Sequence, residues 1–536
     1  MKRREFIRST AFAGTAGALV GGCAAIREST QATGPGFDVH PFVKHHPEAV
    51  FICRTDVSGI GDSDALRETG RTIARELIVP VSSGGWPLST RTIVKPNWTG
   101  AHPIDGKPVF EKLGINTDPH FIEGWILGMR SSATGDCYIR ESGSPQYWQD
   151  MGYYAAAERA NADLRDLSTM DMWELKKGRD LNFVEIPEGV VFREAAYMAP
   201  VNEPGTFLVS IAKYKSHGMG ITAAVKNIQG LCPKCFKQFC TRYDKLRETY
   251  EKPYHRYFRD DFERHIEALY RKHLDDGIPR WDRPGPEGGI WMEQWCQRML
   301  DSLSVTPTGI CIVEGIYSQD GNGFGIGPHE KLGEYGVTSR DYMSNVVVFG
   351  MDPFRVDIIS HWLGGHEPGN FGLFHLAIER GMSDVLDPHD IPVYLWKDGK
   401  ATLASLEDFR RTSLVTYYLQ RDYGGQNEEK FHLCNEPFDY SAWKRGARVS
   451  ECTPSIRQLG RDSRDNVVME LDMPKKQDAC VEVVDSRGEV LWHLYTQDLE
   501  PGVHQVVWDC FSHPGIYNVY VKGMGWDKKT QMVTYA

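Results

Sequence analysis

Past residue 22 the chain has no apolar run of the roughly 20 residues that a helical bilayer span requires, so no later segment is expected to cross a membrane as a helix. It has no basic excess either. Its 72 Asp and Glu outnumber 61 Lys and Arg, for a formal net charge of −11, which argues against nucleic acid as a partner. No Cys-x2-Cys-x2-Cys-x3-Cys run occurs, which excludes a ferredoxin-type cluster module. His361, His366 and His375, with Glu367, lack the helical His-x3-His spacing of a metal site, and Gly364-Gly365-His366 reads as a loop. Surface or core histidines fit that pattern better than ligands.

What is present begins with MKRREFIRSTAFAGTAGALVGGC, where Arg3, Arg4 and Phe6 precede a short Ala- and Gly-rich apolar run. This resembles a twin-arginine export signal ending in a lipobox, to be set aside from the fold. The resemblance implies that Cys23 is the lipidated first residue of a mature chain with a polar tether behind it. A cleaved signal without lipidation stays open as the alternative. Either reading puts the protein outside the cytoplasm, in the periplasm or cell envelope, with the membrane as a partner only through the lipid. Removing residues 1–22 takes away four basic groups and one acidic group, so the mature chain is more acidic still. Of 12 cysteines, eleven lie beyond Cys23, an odd number that cannot all pair within one chain.

Apolar runs that stop abruptly at polar residues recur along the chain: TRTIV before KPN, CYI before RESGSP, TFLVSIA before KYKSH, GICIV before EGIYSQDGNG and NVVVFG before MDP. Each reads as a buried strand followed by a loop. Helix-patterned segments such as SDALRETGRTIARELI and DPHFIEGWILGMRSSA alternate with them, which predicts an α/β fold with a largely parallel sheet and flanking helices. Ligands in such sheets sit at the carboxyl ends of strands. Lys95, Asn97, Glu141, Lys213, Lys215, His217, Glu314 and Asp352 all follow apolar runs, so parallel strands would gather them along one edge. Residues 241–300 break the rhythm with charged helical sequence, read either as an insertion covering the site or as a solvated flap. The last stretch changes again: DACVEVVDSRGEVLWHLY, VHQVVWDC and PGIYNVYVKG alternate apolar and polar residues between Gly-containing turns, the pattern of an antiparallel β-sandwich. It resembles the immunoglobulin-like modules of flagellar hook-capping proteins. That implies a structural or docking role, with a protein or glycan as partner, and Cys480 and Cys510 as a candidate disulfide. The expected division is a signal over 1–22, a tether over 23–36, an α/β domain over 37–395 with an insertion over 231–300, a connecting segment over 396–450 and the sandwich over 451–536.

The segment KYKSHGMGITAAVKNIQG, residues 213–230, carries a strand end into a Gly-containing turn and then a helix pattern. Thr222 and Lys226 are four apart and share a helical face, and lysines beside a helix start favour a phosphate or carboxylate. Exposed lysines with incidental partners remain the competing reading at this level. Lys213, Lys215, His217, Thr222, Lys226, Asn227 and Gly230 in this spacing resemble the central motif of the family called domain of unknown function 362. IVKPN at 93–97, NTDPHFIEG, RESGSP, VEGI at 313–316 and FGMDPFRVDIISHWLGG follow the same family's order, over roughly residues 45–385. The resemblance implies one site holding Lys95, Asn97, Lys213, Lys215, His217, Thr222, Lys226 and Asn227, with Glu314, Asp352 and Asp357 as acidic candidates. By side-chain chemistry the lysines and Asn227 suit a small anionic substrate, while Lys215, His217 and Glu314 are the candidate proton-moving groups. Asp352 is equally readable as the cap of a helix starting at Pro353.

Cys232, Cys235 and Cys240 follow directly. Three thiols supply most of a tetrahedral zinc or iron–sulfur site, with Cys296 or His255 as a fourth ligand; a Cys232–Cys235 disulfide or unconnected thiols are the alternatives. Three functions therefore stand side by side: an enzyme for a small anion, a metal or iron–sulfur redox protein, and a non-catalytic surface binding protein.

Overall fold

The computed structural model describes residues 34–99, 114–217, 220–240, 246, 253–279, 281, 289–319, 329–332, 337–339, 341–411, 414, 437–464, 466–509, 515–523 and 526–534. The segment expected to be an export signal, Cys23, Cys434 and Cys510 lie outside them.

Ten strands build the main sheet: β1 Val50–Arg54, β2 Arg91–Pro96, β3 Cys137–Ile139, β4 Ala162–Leu164, β5 Thr206–His217, β6 Gly220–Thr222, β7 Ile310–Gln319, β8 Asp341–Gly350, β9 Val393–Lys397 and β10 Lys400–Ala404. Their order is β10-β9-β1-β8-β7-β5-β2-β3-β4, with β6 folded back on β5. The fold is α/β. Most neighbours run parallel, but β8 is antiparallel to both β7 and β1, and β10 to β9. Strand interiors are apolar because both faces are covered. Leu208 and Ala212 pack into one core with Tyr214, while Phe207, Val209 and Ile211 of the same strand enter the other, as the two-residue side-chain period requires.

On the second face lie the helices Ser63–Leu77 and Pro119–Met129, in the segments whose apolar spacing predicts them. Asp62 and Asp118 cap them by accepting N–H groups of the first turn. Glycines let the two approach: a Cβ at Gly124 would stand 1.9 Å from the Arg67 carbonyl oxygen. On the first face lie Gly289–Ser304, Pro353–Leu363 and Gly372–Glu379. Gly289–Ser304 belongs to the expected insertion and is buried along most of its length, so this helix is core rather than a solvated flap. The hairpin of β9 and β10 turns at Asp398-Gly399, both at positive φ (52° and 69°), the two-residue turn that Asp-Gly favours. It carries the sheet to Ala404, beyond the boundary expected at 395.

The C-terminal module is a β-sandwich. Strands Ser455–Arg461, Val467–Met473 and Gly502–Trp508 form one antiparallel sheet, and Val490–Leu499, Gln477–Val484, Gly515–Gly523 and Trp526–Thr534 the other. Alternate residues Val467, Met469, Leu471, Val481, Val483, Val519 and Val521 fill the core between them. Lys475 of this module pairs with Glu367 of the α/β part at 3.0 Å. Among the described residues no helix is long and apolar enough to cross a membrane.

Candidate functional site

The carboxyl ends of β2, β3, β5 and β7 meet at one edge of the sheet, and the lysines predicted there arrive by two routes. Lys95, at the end of β2, shares its face with Ile93 of the first core. Its ammonium reaches Glu141 Oε2 at 2.7 Å and Asn227 Oδ1 at 3.1 Å. Asn227 returns hydrogen bonds from Nδ2 to the Lys95 carbonyl (2.9 Å) and to Ser210 Oγ (3.0 Å). Glu141 also accepts the Trp98, Ser142 and Gly143 N–H groups. Gly230 closes on this pair, since a Cβ there would lie 2.6 Å from Glu141 Oε1 and 2.7 Å from Lys95 Nζ.

Lys213, by the alternation of β5, points to the opposite face. It pairs with Glu314 Oε2 at 2.7 Å and lies 3.5 Å from the centroid of the Tyr317 ring. Glu314 is fully buried, which pushes its carboxyl up, and its two oxygens accept the Asp118 and Ile316 N–H groups as well. Asp118 takes the Tyr317 hydroxyl at 2.8 Å besides capping its helix. Two lysine–glutamate pairs thus sit on opposite faces of one strand edge.

Beyond them β5 continues to Lys215 and His217. Lys215 lies opposite Thr222 in the β5–β6 pairing and donates to Thr99 Oγ1 at 3.3 Å. Burial, then the nearby Lys226 charge, holds its amine well below the ordinary lysine range. Lys226 is displaced downward too, first by burial. It lies on the short helix Ala224–Asn227, whose first N–H groups donate to Asp357 at 2.6 and 3.1 Å. The Lys226 ammonium stands 5.9 Å from the Trp295 ring and makes no hydrogen bond or ion pair among the described residues. His217 is buried with its ring edge-on to the same Trp295, 5.2 Å away. Among the described residues the buried Thr222 hydroxyl, able to donate, has no hydrogen-bond partner, and neither does the buried Asn97 Oδ1, an acceptor. The arrangement is a set of buried amines and donors suited to an anion.

The family model described as domain of unknown function (DUF362) matches residues 92–360. The chain belongs to this family. No curated protein matches it. The DUF362 span runs from β2 into the helix Pro353–Leu363, and so contains every lysine of the cluster and none of the C-terminal module.

Not all predicted residues join the cluster. Asp352 follows β8, and because β8 runs against its neighbours its end lies at the opposite edge, where Gly350 pairs with Cys311 at the start of β7. There Asp352 caps the helix Pro353–Leu363 through the Phe354 and Arg355 N–H groups and lines a separate cleft of about 440 Å³ with Glu48, Arg355 and Asp384. Asp357 acts on the cluster only by holding the helix that carries Lys226.

The thiols also separate. Among the described residues no three His, Cys, Asp or Glu side chains are placed to hold a metal ion, and Cys232, Cys235 and Cys240 are free thiols, so neither the three-ligand zinc or iron–sulfur set nor the Cys232–Cys235 disulfide is formed. Cys232 is fully buried in the apolar core, with its thiol pushed up to about 12. Cys296 is core, and His255 is half-exposed beside Asp260. His366 and His375 bond the Leu414 and Gly369 carbonyls, and His361 the Asp357 carbonyl, as packing groups do. Arg298, which donates to Gln229 Oε1 at 3.3 Å, escapes a sequence reading because nothing near it in sequence marks it; Asp118 and Tyr317 lie inside the NTDPHFIEG and EGIYSQDGNG stretches but carry no chemical mark of their own there, and Glu141 carries a signal, its place after the CYI strand.

Proposed function

We propose that this DUF362 protein binds a small anionic molecule at the lysine-lined edge of its sheet and acts on it as an enzyme, and that it does so outside the cytoplasm, anchored through Cys23. The observation that carries the reading is Lys226, a half-buried ammonium with no acceptor of its own among the described residues, beside Lys215. An anion there would pair with the Lys226 ammonium, and the Thr222 hydroxyl can donate to it. Lys215, with its lowered affinity for a proton, is the candidate base, and His217 the group able to move a proton near neutral pH. Glu314 serves as counter-ion to Lys213. The twin-arginine sequence at residues 1–23 supports the location, and a structural or docking role for the C-terminal module follows from its separation from the cluster.

The test is thermal stabilisation by inorganic phosphate and by a panel of small carboxylates and phosphate esters. The wild-type melting temperature is expected to rise with at least one of them, and that of Lys215→Ala/Lys226→Ala to stay unchanged. A double variant that responds like wild type rules out the cleft.

A further inference from the structure

The helix Gly289–Ser304 of the expected insertion meets the lysine cluster through two of its residues. Lys226 and Gln229 lie three apart in the segment after β6, and Trp295 and Arg298 lie three apart on the helix, so each pair shares a face. Two contacts join the pairs corner to corner: the Lys226 ammonium stands 5.9 Å from the Trp295 ring centroid, and the Arg298 guanidinium donates to Gln229 Oε1 at 3.3 Å. A guanidinium has no acceptor, so the Gln229 amide turns its oxygen to Arg298 and its Nε2 the other way. That Nε2 is buried and has no acceptor among the described residues. The Trp295 indole N–H, a donor only, is buried and unpartnered in the same way. With the Lys226 ammonium, three donors without acceptors therefore occupy three corners of one four-residue frame. Buried donors in native proteins are almost always satisfied, so acceptors from outside the chain belong between them.

We propose that Trp295 and Gln229, together with Lys226, bind the terminal phosphoryl group of a phosphate monoester and set the preference of the site for phosphate over carboxylate. This rests on the anion-binding reading above. A phosphate monoester offers three terminal oxygens spread around phosphorus, one for each donor. A carboxylate offers two in a single plane, which leaves the third buried donor to share one or to go unmet at the cost that unmet donors carry. The spacing agrees: two N···O hydrogen bonds end to end measure about 5.8 Å, so one oxygen bridges the Lys226 ammonium and the Trp295 indole. Charge agrees as well, because a monoester carries about −1.5 to −2 near pH 7 and Arg298 adds a second positive charge beside Lys226. Arg298 is a positioning residue, acting through the amide it orients.

The experiment is isothermal titration calorimetry of the full-length protein with phenyl phosphate and with benzoate, which share a ring and differ in the anionic group. Phenyl phosphate is expected to bind roughly tenfold or more tightly than benzoate, the size of one hydrogen bond to a charged acceptor. Trp295→Phe keeps a ring and deletes the N–H, and Gln229→Glu keeps an acceptor for Arg298 and deletes the donor. Each should lower the ratio of the two affinities by roughly tenfold, a readout that a general packing defect leaves in place. Arg298→Met should lower it too, and Arg298→Lys, which keeps a donor for Gln229 Oε1, should restore it. A wild-type ratio near one, or a ratio unchanged in both Trp295→Phe and Gln229→Glu, overturns the proposal. If that happens while Lys215→Ala/Lys226→Ala loses the ligands that wild type binds, the donor frame fails and the anion site stands. If neither ligand nor inorganic phosphate binds wild type, both fail together.

Discussion

Replacing Lys95 by Met should cost the α/β domain about 3–5 kcal/mol, the range found when one partner of a buried ion pair is removed. Lys95 and Glu141 are each nearly inaccessible, at 1% and 2% side-chain exposure. Methionine keeps the unbranched stem and deletes the charge. Glu141 would retain its Trp98, Ser142 and Gly143 donors but would face the protein interior as an uncompensated carboxylate, and Asn227 Oδ1 would lose its donor. Glu141→Gln should be comparably damaging, since its amide group must point N–H at positions now filled by N–H donors. Lys95→Met/Glu141→Gln removes both charges, so its loss should fall short of the sum of the single losses by roughly 1–3 kcal/mol, as interacting neighbours do. The assay is urea unfolding followed by far-ultraviolet circular dichroism and Trp fluorescence, with the C-terminal module's transition separated by its own midpoint. A Lys95→Met midpoint equal to wild type, or single losses that add without coupling, refutes the account of this pair.

Two further outcomes follow from buried charge pairs. Gly230→Ala should destabilise by about 1–3 kcal/mol, the cost of overpacking, because its Cβ meets the locked ends of Lys95 and Glu141; in the Lys95→Met background the penalty should shrink, which chemical unfolding checks. His273 is held between Glu293 (2.6 Å) and Glu379 (2.9 Å), which raise its pKa from 6.5 to about 9 against the opposing effect of burial. A raised folded pKa means stability fully present below pH 6.5 and lost as pH climbs through 9, about 3 kcal/mol in all; His273→Gln should flatten the stability-versus-pH curve across that window.

The strand ends were legible because a run buried on both faces stops visibly where the chain meets polar surroundings, and that placed Lys95, Lys213, Lys215 and Glu314 at one edge. Strand direction was not. NVVVFG is equally apolar read either way, so nothing local says that β8 runs against β7, and Asp352 fell on the wrong edge for that reason alone. Faces were only half legible. Alternation along β5 assigns Lys213 and Lys215 to one side, but with both sides apolar no polarity contrast tells which side Lys95 of β2 shares. Arg298 was hidden differently: it arrives from a helix some 70 positions beyond Gln229 in the chain, through packing of apolar neighbours that carry no chemical mark. Asp398-Gly399, by contrast, is a hairpin signal in plain view, and it extends the sheet where composition had drawn a boundary.

The division of labour among the lysines follows from what each would lose on meeting a ligand. Drawing Lys95 or Lys213 onto an external anion strips a buried carboxylate of its cation, at a cost on the order of the 3–5 kcal/mol above, and a small anion's contacts would have to exceed that before binding became favourable. Lys226 faces no such cost, since its ammonium has no acceptor to give up among the described residues. Beside it Lys215 is held below its ordinary range by burial and then by the Lys226 charge, which an anion on Lys226 would offset. Lys95 and Lys213 therefore fix the strand ends, and the ligand falls first to Lys226, with Lys215 beside it. Substitutions should separate accordingly: at Lys95 and Lys213 they lower stability first and binding as a consequence, whereas at Lys226 they remove binding from a protein that unfolds at the same urea concentration as wild type.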